Sequence, residues 1–492
     1  MKIALLPLDS RPCNYDFPQK IALLRGVRIR VPPKNIMDFF KTPSRHKAVR
    51  LWLQKEAEQS DILILSVEQL IFGGLIASRS NTKTQSDIEN DFAFIGALKK
   101  KNPRLHIFAF TILMRTTVST LDSKSKLWWE KIAEYSKLVY EYKSSESSDA
   151  KLKAQIDRIV TEIPAEVLNA FLAARKKNHR VNMRCIEFVL RNIFEKLLIL
   201  QEDCSSSGLQ IDEQKQIEAE VREKELNGKV FLHNGTDEAG TELVSTAVSN
   251  FVPATLAIEW LSDNIFFTAK YEDRPFFKNL YSHVHACGIH IRKNAKCRLF
   301  ILPPKTSQGD CCSDVQKTGG YSAGEYDLMA EKIAAAIKGG KSCYLLDLAY
   351  ANGGDVSFLK TAALKTELLS LYGYAAWNTA SNSLGTILAQ IIASNGRNSS
   401  ENQRFTAERL LDDLLYQGLV RQKLGALLAE KQDDPWCLKN PADAHSMLAV
   451  LFGKQRILHD VFGKSVPEFT AELPWPRIFE AAFTVKQYGG QV

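Results

Sequence analysis

The sequence predicts an α/β fold in which mainly parallel strands alternate with helices, as a barrel-like assembly or as two facing open sheets. Three observations predict it. Short apolar runs recur along most of the chain, stretches long enough for helices separate most of them, and polar residues follow their ends. The same reading adds a helical insertion and a helical C-terminal region.

Ten apolar runs have the length of strands. They are Ile3–Leu8, Val27–Val31, Ile62–Val67, Leu105–Leu113, Leu197–Leu200, Val230–His233, Thr255–Trp260, Arg298–Leu302, Cys343–Leu348 and Tyr372–Trp377. A simple barrel takes eight strands, so either two of these lie outside a barrel or the chain forms two open sheets.

The insertion, at about residues 116–195, is charged and helical in pattern. Five apolar residues recur in it at roughly helical spacing, which predicts a stripe that packs on the rest of the protein; they are Trp128, Trp129, Ile132, Tyr135 and Leu138. Ser144–Ser148 is interpreted as a linker between helices. We expect the insertion to cover or flank a cavity rather than to form an independent domain.

The length of 492 residues is too great for one simple core. The predicted division is an N-terminal α/β domain at residues 1–250, which contains the insertion, a second α/β part at 251–400 and a helical subdomain at 401–492.

The composition is typical of a soluble protein without a nucleic-acid partner. Lys and Arg number 64 against 56 Asp and Glu, and the basic residues are dispersed. No apolar run reaches membrane-spanning length, and the N-terminal segment is too short for a signal peptide. The nine cysteines are scattered, with Cys311 and Cys312 adjacent in a polar loop, so we expect a reduced, cytoplasmic protein. The oligomeric state stays open.

The segment after Leu197–Leu200 is the strongest candidate for chemistry. Gln201, Glu202 and Asp203 follow this run, and the carboxyl ends of parallel strands are where α/β proteins place active sites. Two adjacent carboxylates repel each other, so one of them can stay protonated and serve as a general acid.

Similar polar clusters follow other strands, which predicts one shared site. The cluster residues are Asp9, Arg11 and Asn14, then Glu68 and Arg79, Arg115, Asp237 and Glu238, Asp347, Asn352 and Asp355, and Trp377, Asn378 and Asn382. Strand ends of one sheet converge in space, so these side chains are expected to line one cavity.

The glycine pairs and the histidines do not predict a nucleotide or metal site. Gly73-Gly74 and Gly353-Gly354 permit positive φ or close approach, but no GxGxxG motif or phosphate-binding loop is present. His283 and His285 would share one face of a strand, and no acidic ligand lies at a zinc-type spacing. No metal ligands are therefore assigned.

Trp377, Asn378 and Asn382 form the best candidate for recognition. An aromatic ring stacks on the apolar face of a sugar, and asparagine amides bind hydroxyl groups as donors and acceptors. Arg11, Arg79 and Arg115 could instead bind a carboxylate or phosphate.

With these motifs assembled, the chain resembles the bacterial family catalogued as domain of unknown function 4127. The matching segments are residues 7–14 (PLDSRPCN), 72–79 (FGGLIASR), 201–203 (QED) with Gly208, 235–238 (GTDE), 347–355 (DLAYANGGD) and 376–385 (AWNTASNSLG). In this family the strand before the acidic pair usually ends in Gln-Asp-Asp, whereas this chain has Glu202 in place of the first Asp. The family name implies no activity.

A looser similarity is to O-GlcNAcase-like glycosidases, which carry paired acidic residues after a barrel strand and a Trp–Asn…Asn sugar-binding loop. Glu202-Asp203 and Trp377-Asn378…Asn382 are similar in kind, though not in chain order. This similarity is an analogy only.

The function predicted from the sequence is hydrolysis of a glycosidic bond, with an N-acetylhexosaminide as one substrate class. Asp203 would be the general acid, and Glu202, Asp237 or Glu238 would supply the second carboxylate. The residues expected to bind a small-molecule or glycan substrate are Asp9, Arg11, Asn14, Arg79, Arg115, Asn352, Asp355, Trp377, Asn378 and Asn382. One alternative is an enzyme for an anionic or phosphorylated metabolite, with the arginines as its clamp and Asp9, Asp347 or Asp355 as Mg²⁺ ligands. Another is a non-catalytic sugar- or metabolite-binding protein. The first reading needs no cofactor.

Overall fold

The computed structural model describes residues 1–80, 83–119, 123–145, 149–312, 320–453, 457–463 and 466–487. The chain divides into two compact units. One comprises residues 1–15, 28–243 and 271–273, and the other comprises 16–27, 244–270 and 274–492. The three-part division predicted from the sequence stays a prediction.

The first unit contains a five-stranded sheet in which every neighbouring pair is parallel. Its strands are β1 (Ile3–Leu6), β2 (Ile62–Ser66), β3 (His106–Leu113), β4 (Lys196–Gln201) and β5 (Val230–Asn234), and their order in the sheet is their order in the chain. All five strands therefore end at one edge.

The second unit also contains a five-stranded parallel sheet. The strands in this part of the chain are β6 (Thr255–Trp260), β7 (His290–Ile291), β8 (Cys297–Leu302), β9 (Gly309–Asp310), β10 (Ser342–Asp347), β11 (Tyr350–Ala351), β12 (Gly373–Ala375), β13 (Glu468–Glu472) and β14 (Ala482–Gln487). The sheet order is β12-β10-β8-β6-β7, β9 pairs with β11, and β13 and β14 form an antiparallel pair.

Helices connect nearly all of these strands. Up to residue 248 they are α1 (Pro12–Leu23), α2 (His46–Gln59), α3 (Val67–Ile71), α4 (Leu75–Ser78), α5 (Gln85–Lys101), α6 (Ser123–Ser144), α7 (Ala150–Glu162), α8 (Ala165–Leu190), α9 (Leu209–Glu223) and α10 (Ala239–Val248). The later helices are α11 (Phe276–Ala286), α12 (Ala323–Lys338), α13 (Val356–Lys365), α14 (Ala380–Ser394), α15 (Ser400–Arg409), α16 (Arg421–Glu430), α17 (Pro441–Gly453) and α18 (Ile457–Phe462). Short 3₁₀ turns occupy Lys34–Ile36 and Leu368–Ser370, and a π-helical segment, Leu410–Val420, joins α15 to α16.

The α/β prediction is confirmed, and the two five-stranded sheets are open rather than closed into a barrel. Nine of the ten predicted strands are present. Val27–Val31 is not a strand: it makes a single bridge, from Arg30 to Ala4, and is followed by Pro32 and Pro33, which have no N–H to continue a ladder. The prediction that His283 and His285 lie on a strand is wrong, because both lie in α11.

Apolar packing explains why the strand runs are continuous rather than alternating. In the first unit, side chains on both faces of β2 are buried, such as Leu63 and Ile64. In the second, Leu345 and Leu346 of β10 belong to separate apolar clusters. The second sheet is therefore covered on both faces.

The helical insertion comprises α6, α7 and α8 in the first unit. Its stripe residues Ile132 and Leu138 are buried in an apolar cluster with Met114, and Val181 and Ile186 of α8 join the core beside the sheet. Residues 120–122 and 146–148 lie outside the described part, so the linker predicted at Ser144–Ser148 is described only in part.

Candidate active site

The polar residues after β1 and β5 form a buried ion triad. Arg11 donates to Asp9 Oδ2 from Nε (2.9 Å) and Nη2 (2.7 Å), and to Asp237 from Nη2 (2.5 Å, to Oδ1) and Nη1 (3.2 Å, to Oδ2). Asn14 Nδ2 donates to Oδ1 of both carboxylates, at 2.9 and 3.0 Å. All four residues are buried. One guanidinium therefore binds two carboxylates.

A second set, Arg79, Arg115, Glu202 and Asp203, lies at the ends of β3 and β4. Arg79 Nη2 donates to Glu202 Oε1, and the Arg115 guanidinium lies 2.6 Å from Asp203 Oδ2. The Asp203 side chain is 27% exposed, against 5% for Glu202. Asp203 is therefore the carboxylate of this set that a substrate can reach.

Helix α8 of the insertion fixes both arginine-bearing segments. Arg175 donates to the carbonyl oxygens of Arg115 (Nη1, 2.9 Å) and Met114 (Nη2, 3.2 Å), and Asn178 Nδ2 donates to Ser78 O at 2.7 Å. The insertion thus flanks this set within the first unit. Whether it covers a cavity stays a prediction.

Asp38 is a candidate residue that the sequence analysis missed. It is buried, and its Oδ1 accepts no hydrogen bond from any residue that the structure describes. Burial, with a smaller contribution from Asp9, holds the pKa of Asp38 well above its usual range. Burial therefore disfavours the ionised form of Asp38.

The sequence carries only an indirect signal for Asp38. It follows the 3₁₀ turn Lys34–Ile36 rather than a strand, so the pattern of strand ends does not include it. The signal is Gly74, at φ +127°, where a Cβ would lie 3.0 Å from Asp38 Cγ. The Gly73-Gly74 pair thus lets the backbone pack closely against the Asp38 side chain rather than against a ligand.

Glu68 is a second buried acid in this unit. Its Oε1 accepts from Thr111 Oγ1 and from the Ile112 N–H, both at 2.7 Å, whereas its Oε2 has no partner within the described ranges. Burial, together with a smaller contribution from Glu202, raises the pKa of Glu68 to about 7.

We expect Glu68 to make the protein less stable as the pH rises from about 4.5 to 7. The raised folded-state pKa means that the folded protein holds this proton more tightly than the unfolded chain does, so stability falls over this window. Glu68→Gln should flatten the slope and stabilise the protein at pH 8 by roughly 1–3 kcal/mol. Urea unfolding at a series of pH values measures this, with exposed Glu58→Gln as the control. An unchanged slope would contradict the assignment.

Glu238 faces the backbone at the start of the loop after β5. Its Oε2 accepts from the Thr236 N–H at 2.8 Å, and a Cβ at Gly235, φ +124°, would overlap Oε1. The contact fixes the turn that presents Asp237 to Arg11.

In the second unit, the predicted residues after β10 and β12 support one another. Asn352 donates from Nδ2 to Asp310 Oδ2 (2.5 Å) and from its backbone N–H to Asn378 O (2.9 Å). Asp355 caps α13 by accepting from the N–H groups of Ser357 and Phe358. Asn352 and Asp355 are thus held in place by hydrogen bonds within the second unit.

The recognition element also lies in the second unit. Trp377 is buried against Phe479, with ring centroids 5.9 Å apart, and its Nε1–H has no acceptor among the residues described. Asn378 has φ +68°, and buried Asn382 lies in the first turn of α14. Sugar binding by these three residues stays a prediction.

The carboxylates considered for Mg²⁺ are poor ligands as placed. Both oxygens of Asp9 accept from Arg11, one oxygen of Asp347 accepts from the Asp355 N–H at 2.7 Å, and Asp355 caps a helix. Burial first, and then Asp355, raise the pKa of Asp347 to about 7. Donor-facing or protonated carboxyls do not suit a hard cation.

The predicted site residues therefore fall into two sets, one in each unit. The first unit holds Asp9, Arg11, Asn14, Arg79, Arg115, Glu202, Asp203, Asp237 and Glu238, and the second holds Asn352, Asp355, Trp377, Asn378 and Asn382. That all of them line one cavity stays a prediction.

Comparison with known proteins gives a family but no activity. The family model described as "Protein of unknown function (DUF4127)" matches residues 3–484. No curated protein and no solved structure matches the chain. Within the described part of the chain, no helix combines the length and apolarity needed to cross a membrane.

Proposed function

We propose that this chain, which belongs to the DUF4127 family, hydrolyses glycosidic bonds by carboxylate acid–base catalysis at the carboxyl edge of its first sheet. The observation that carries the proposal is a contrast between acids in one unit. Asp38 is buried and its pKa is held well above the usual range, whereas Asp203 is partly exposed and lies 2.6 Å from the Arg115 guanidinium. Carboxyl groups whose environments push their protonation states apart are how glycosidases separate acid and base roles.

The contrast changes the role proposed for Asp203. Asp203 is the exposed carboxylate of its set and lies 2.6 Å from the Arg115 guanidinium, so it is assigned as the group that attacks the anomeric carbon or activates water. Asp38 is assigned as the acid that protonates the leaving oxygen. Its carboxyl group would reach the substrate when binding opens the site, since catalytic hydrogen bonds often form only in the complex.

The remaining residues position these two acids. Glu202 accepts from Arg79 and from the Arg115 N–H, which orients both arginines. Asp9, Arg11, Asn14 and Asp237 form a rigid base beside Asp38, because each carboxylate accepts from two partners. A site fixed in this way needs little reorganisation during reaction.

An enzyme for an anionic metabolite is the second candidate. Arg79 and Arg115 each have a buried Nε–H without an acceptor in the described residues, and their side chains are 9% and 14% exposed. These donors would suit a carboxylate or phosphate. Since the donor set does not suit Mg²⁺, this candidate too would act without a metal.

A panel of chromogenic glycosides and phosphate esters, assayed with and without EDTA, tests the proposal. We expect EDTA-insensitive release from a glycoside, reduced about 10²–10⁴-fold in Asp203→Asn, with the melting temperature unchanged or higher. The melting temperature should change little because the Asp203 side chain is partly exposed, so the lost ion pair with Arg115 is offset by weaker repulsion from Glu202.

Asp212→Asn, on the partly exposed first turn of α9, is the matched control and should keep full activity. Release only from phosphate esters would favour the second candidate. Ligand binding without turnover would favour a binding protein, and full activity in Asp203→Asn would exclude Asp203.

A further inference from the structure

Cys311 and Cys312 lie together in the second unit, directly after β9. The Cys311 N–H donates to Ala351 O at 3.0 Å, the Cys312 N–H donates to Asp310 Oδ1 at 2.9 Å, and the two Sγ atoms are 3.7 Å apart. These backbone contacts fix both thiols relative to β11.

Arg421 supplies a positive charge to one of the two sulfurs. Its Nη2 lies 2.7 Å from Cys312 Sγ, while its Nη1 donates to Gln417 Oε1 at 2.6 Å and its guanidinium lies 5.2 Å from the centre of the Phe479 ring. The guanidinium is thus held in place before any reagent arrives. A cation at this distance stabilises a thiolate.

The two thiols differ in charge and access. The hydrogen bond from Cys311 and the charge of Arg421 lower the pKa of Cys312 to about 7, although burial and Asp310 oppose this. Cys311 is buried, and its Sγ lies 3.0 Å from Asn352 O. The contact with Cys312, together with burial, raises the pKa of Cys311 well above the usual range. Cys312 is the more exposed and more acidic thiol of the pair.

The same geometry disfavours a metal site. The donor atoms of Asp310, Cys311 and Cys312 lie within 4.8 Å of one another, which would suit a soft cation. The Arg421 guanidinium, however, already occupies one side of the Cys312 sulfur, and its charge repels a cation. A nucleophile fits this arrangement better.

We propose that Cys312 is a modification site, where the thiolate paired with Arg421 exchanges with low-molecular-weight disulfides. The Cys312 sulfur attacks one sulfur of the reagent, a new S–S bond forms, the S–S bond of the reagent breaks, and its other half leaves as a thiolate. The Cys312 sulfur is oxidised and the departing sulfur is reduced.

The reaction stops at this mixed disulfide. Adjacent Cα atoms are about 3.8 Å apart, below the roughly 4.4–6.8 Å that disulfides usually span. A bond between Cys311 and Cys312 would therefore be strained, and Cys311 remains a thiol.

Treatment of the full-length protein with 5,5′-dithiobis(2-nitrobenzoate), followed by peptide mass mapping, tests the proposal. Cys437 is also partly exposed and is the internal reference. Cys312 should react about tenfold faster than Cys437 at pH 7, because about half of the Cys312 thiol is ionised at that pH. Its rate should be half-maximal near pH 7.

Variants separate this role from packing. Arg421→Met should move the midpoint towards about 8.5, the value of an ordinary thiol, and Arg421→Lys should leave it near 7. The groups facing the Cys312 thiol are Arg421, Cys311 and Asp310, with Tyr416 beside the guanidinium. Circular dichroism verifies that each variant is folded. If Arg421→Met does not fold, Cys311→Ala replaces it, because Cys311 is the other group that stabilises the Cys312 thiolate. Cys311→Ala should also raise the pH at which the Cys312 rate is half-maximal.

Three results would overturn the proposal. The first is a Cys312 rate no higher than that of Cys437. The second is a midpoint that is the same in the wild type and in the folded Met or Ala variant. The third is a product two mass units lighter than the starting protein, which would show a Cys311–Cys312 bond instead of a mixed disulfide.

Discussion

Asp38→Asn should reduce turnover about 10²–10⁴-fold and leave the folded protein as stable as the wild type. Asparagine keeps the size of the side chain but has no acidic proton to give to a leaving group. Stability should be spared because burial already disfavours the charged form of Asp38 in the folded protein. The kcat/KM of the best glycoside, with the melting temperature, measures both effects.

A buried carboxylate with a structural role provides the comparison. Asp91 is buried and lies 2.9 Å from both His46 Nε2 and Arg50 Nη1, so Asp91→Asn should lower the melting temperature without a comparable loss of rate per folded molecule. If Asp38→Asn has the wild-type rate, Asp38 is not the general acid. The wild-type pH profile should also lose activity at high pH as Asp38 ionises, and Asp38→Asn should lack this decline.

Arg11→Met should destabilise the first unit by about 3–5 kcal/mol. The change leaves Asp9 and Asp237 buried, close to each other through Asn14, and without the charge that compensates both. Urea unfolding measures the loss. Asp9→Asn combined with Asp237→Asn in the Arg11→Met background should recover part of it, because no buried charge is then left unpaired.

The control for Arg11 is Arg30, an arginine whose side chain is partly exposed to solvent and forms an ion pair with Glu56. Arg30 pairs with Glu56 at 2.7 Å but is 46% exposed, so Arg30→Met should cost no more than about 1 kcal/mol. Equal losses in the two variants would show that the triad contributes no more than a surface ion pair.

The sequence was sufficient for nine of the ten strands of the two five-stranded sheets. Runs such as Ile62–Val67 are apolar on both faces, so they identify buried parallel strands, and the polar residue after each run lies at the shared edge for the same reason. The partner of each side chain was not predictable. Nothing local indicates that Arg11 pairs with Asp237, which is 226 positions away.

Two misses have local causes. Asp38 follows a 3₁₀ turn, and its importance comes from burial, which depends on distant segments such as the one around Gly74. The antiparallel pair β13 and β14 lies in a region where helical patterns dominate. In β13 (Glu468–Glu472, EFTAE), Phe469 and Ala471 are only partly buried and alternate with exposed residues, which is a weak strand signal.

The strand order of the first sheet has a consequence for how the protein is made. Each strand pairs with the strand synthesised before it, so the sheet can form during translation without any strand needing one that is synthesised later. The ion triad, in contrast, cannot form until all five strands have been synthesised. Asp9 and Arg11 emerge near the start, whereas Asp237 follows the last strand to be added. A nascent chain that ends before β5 would therefore hold four of the five strands but an unfinished site, and release of residues 230–238 would complete both the sheet and the triad.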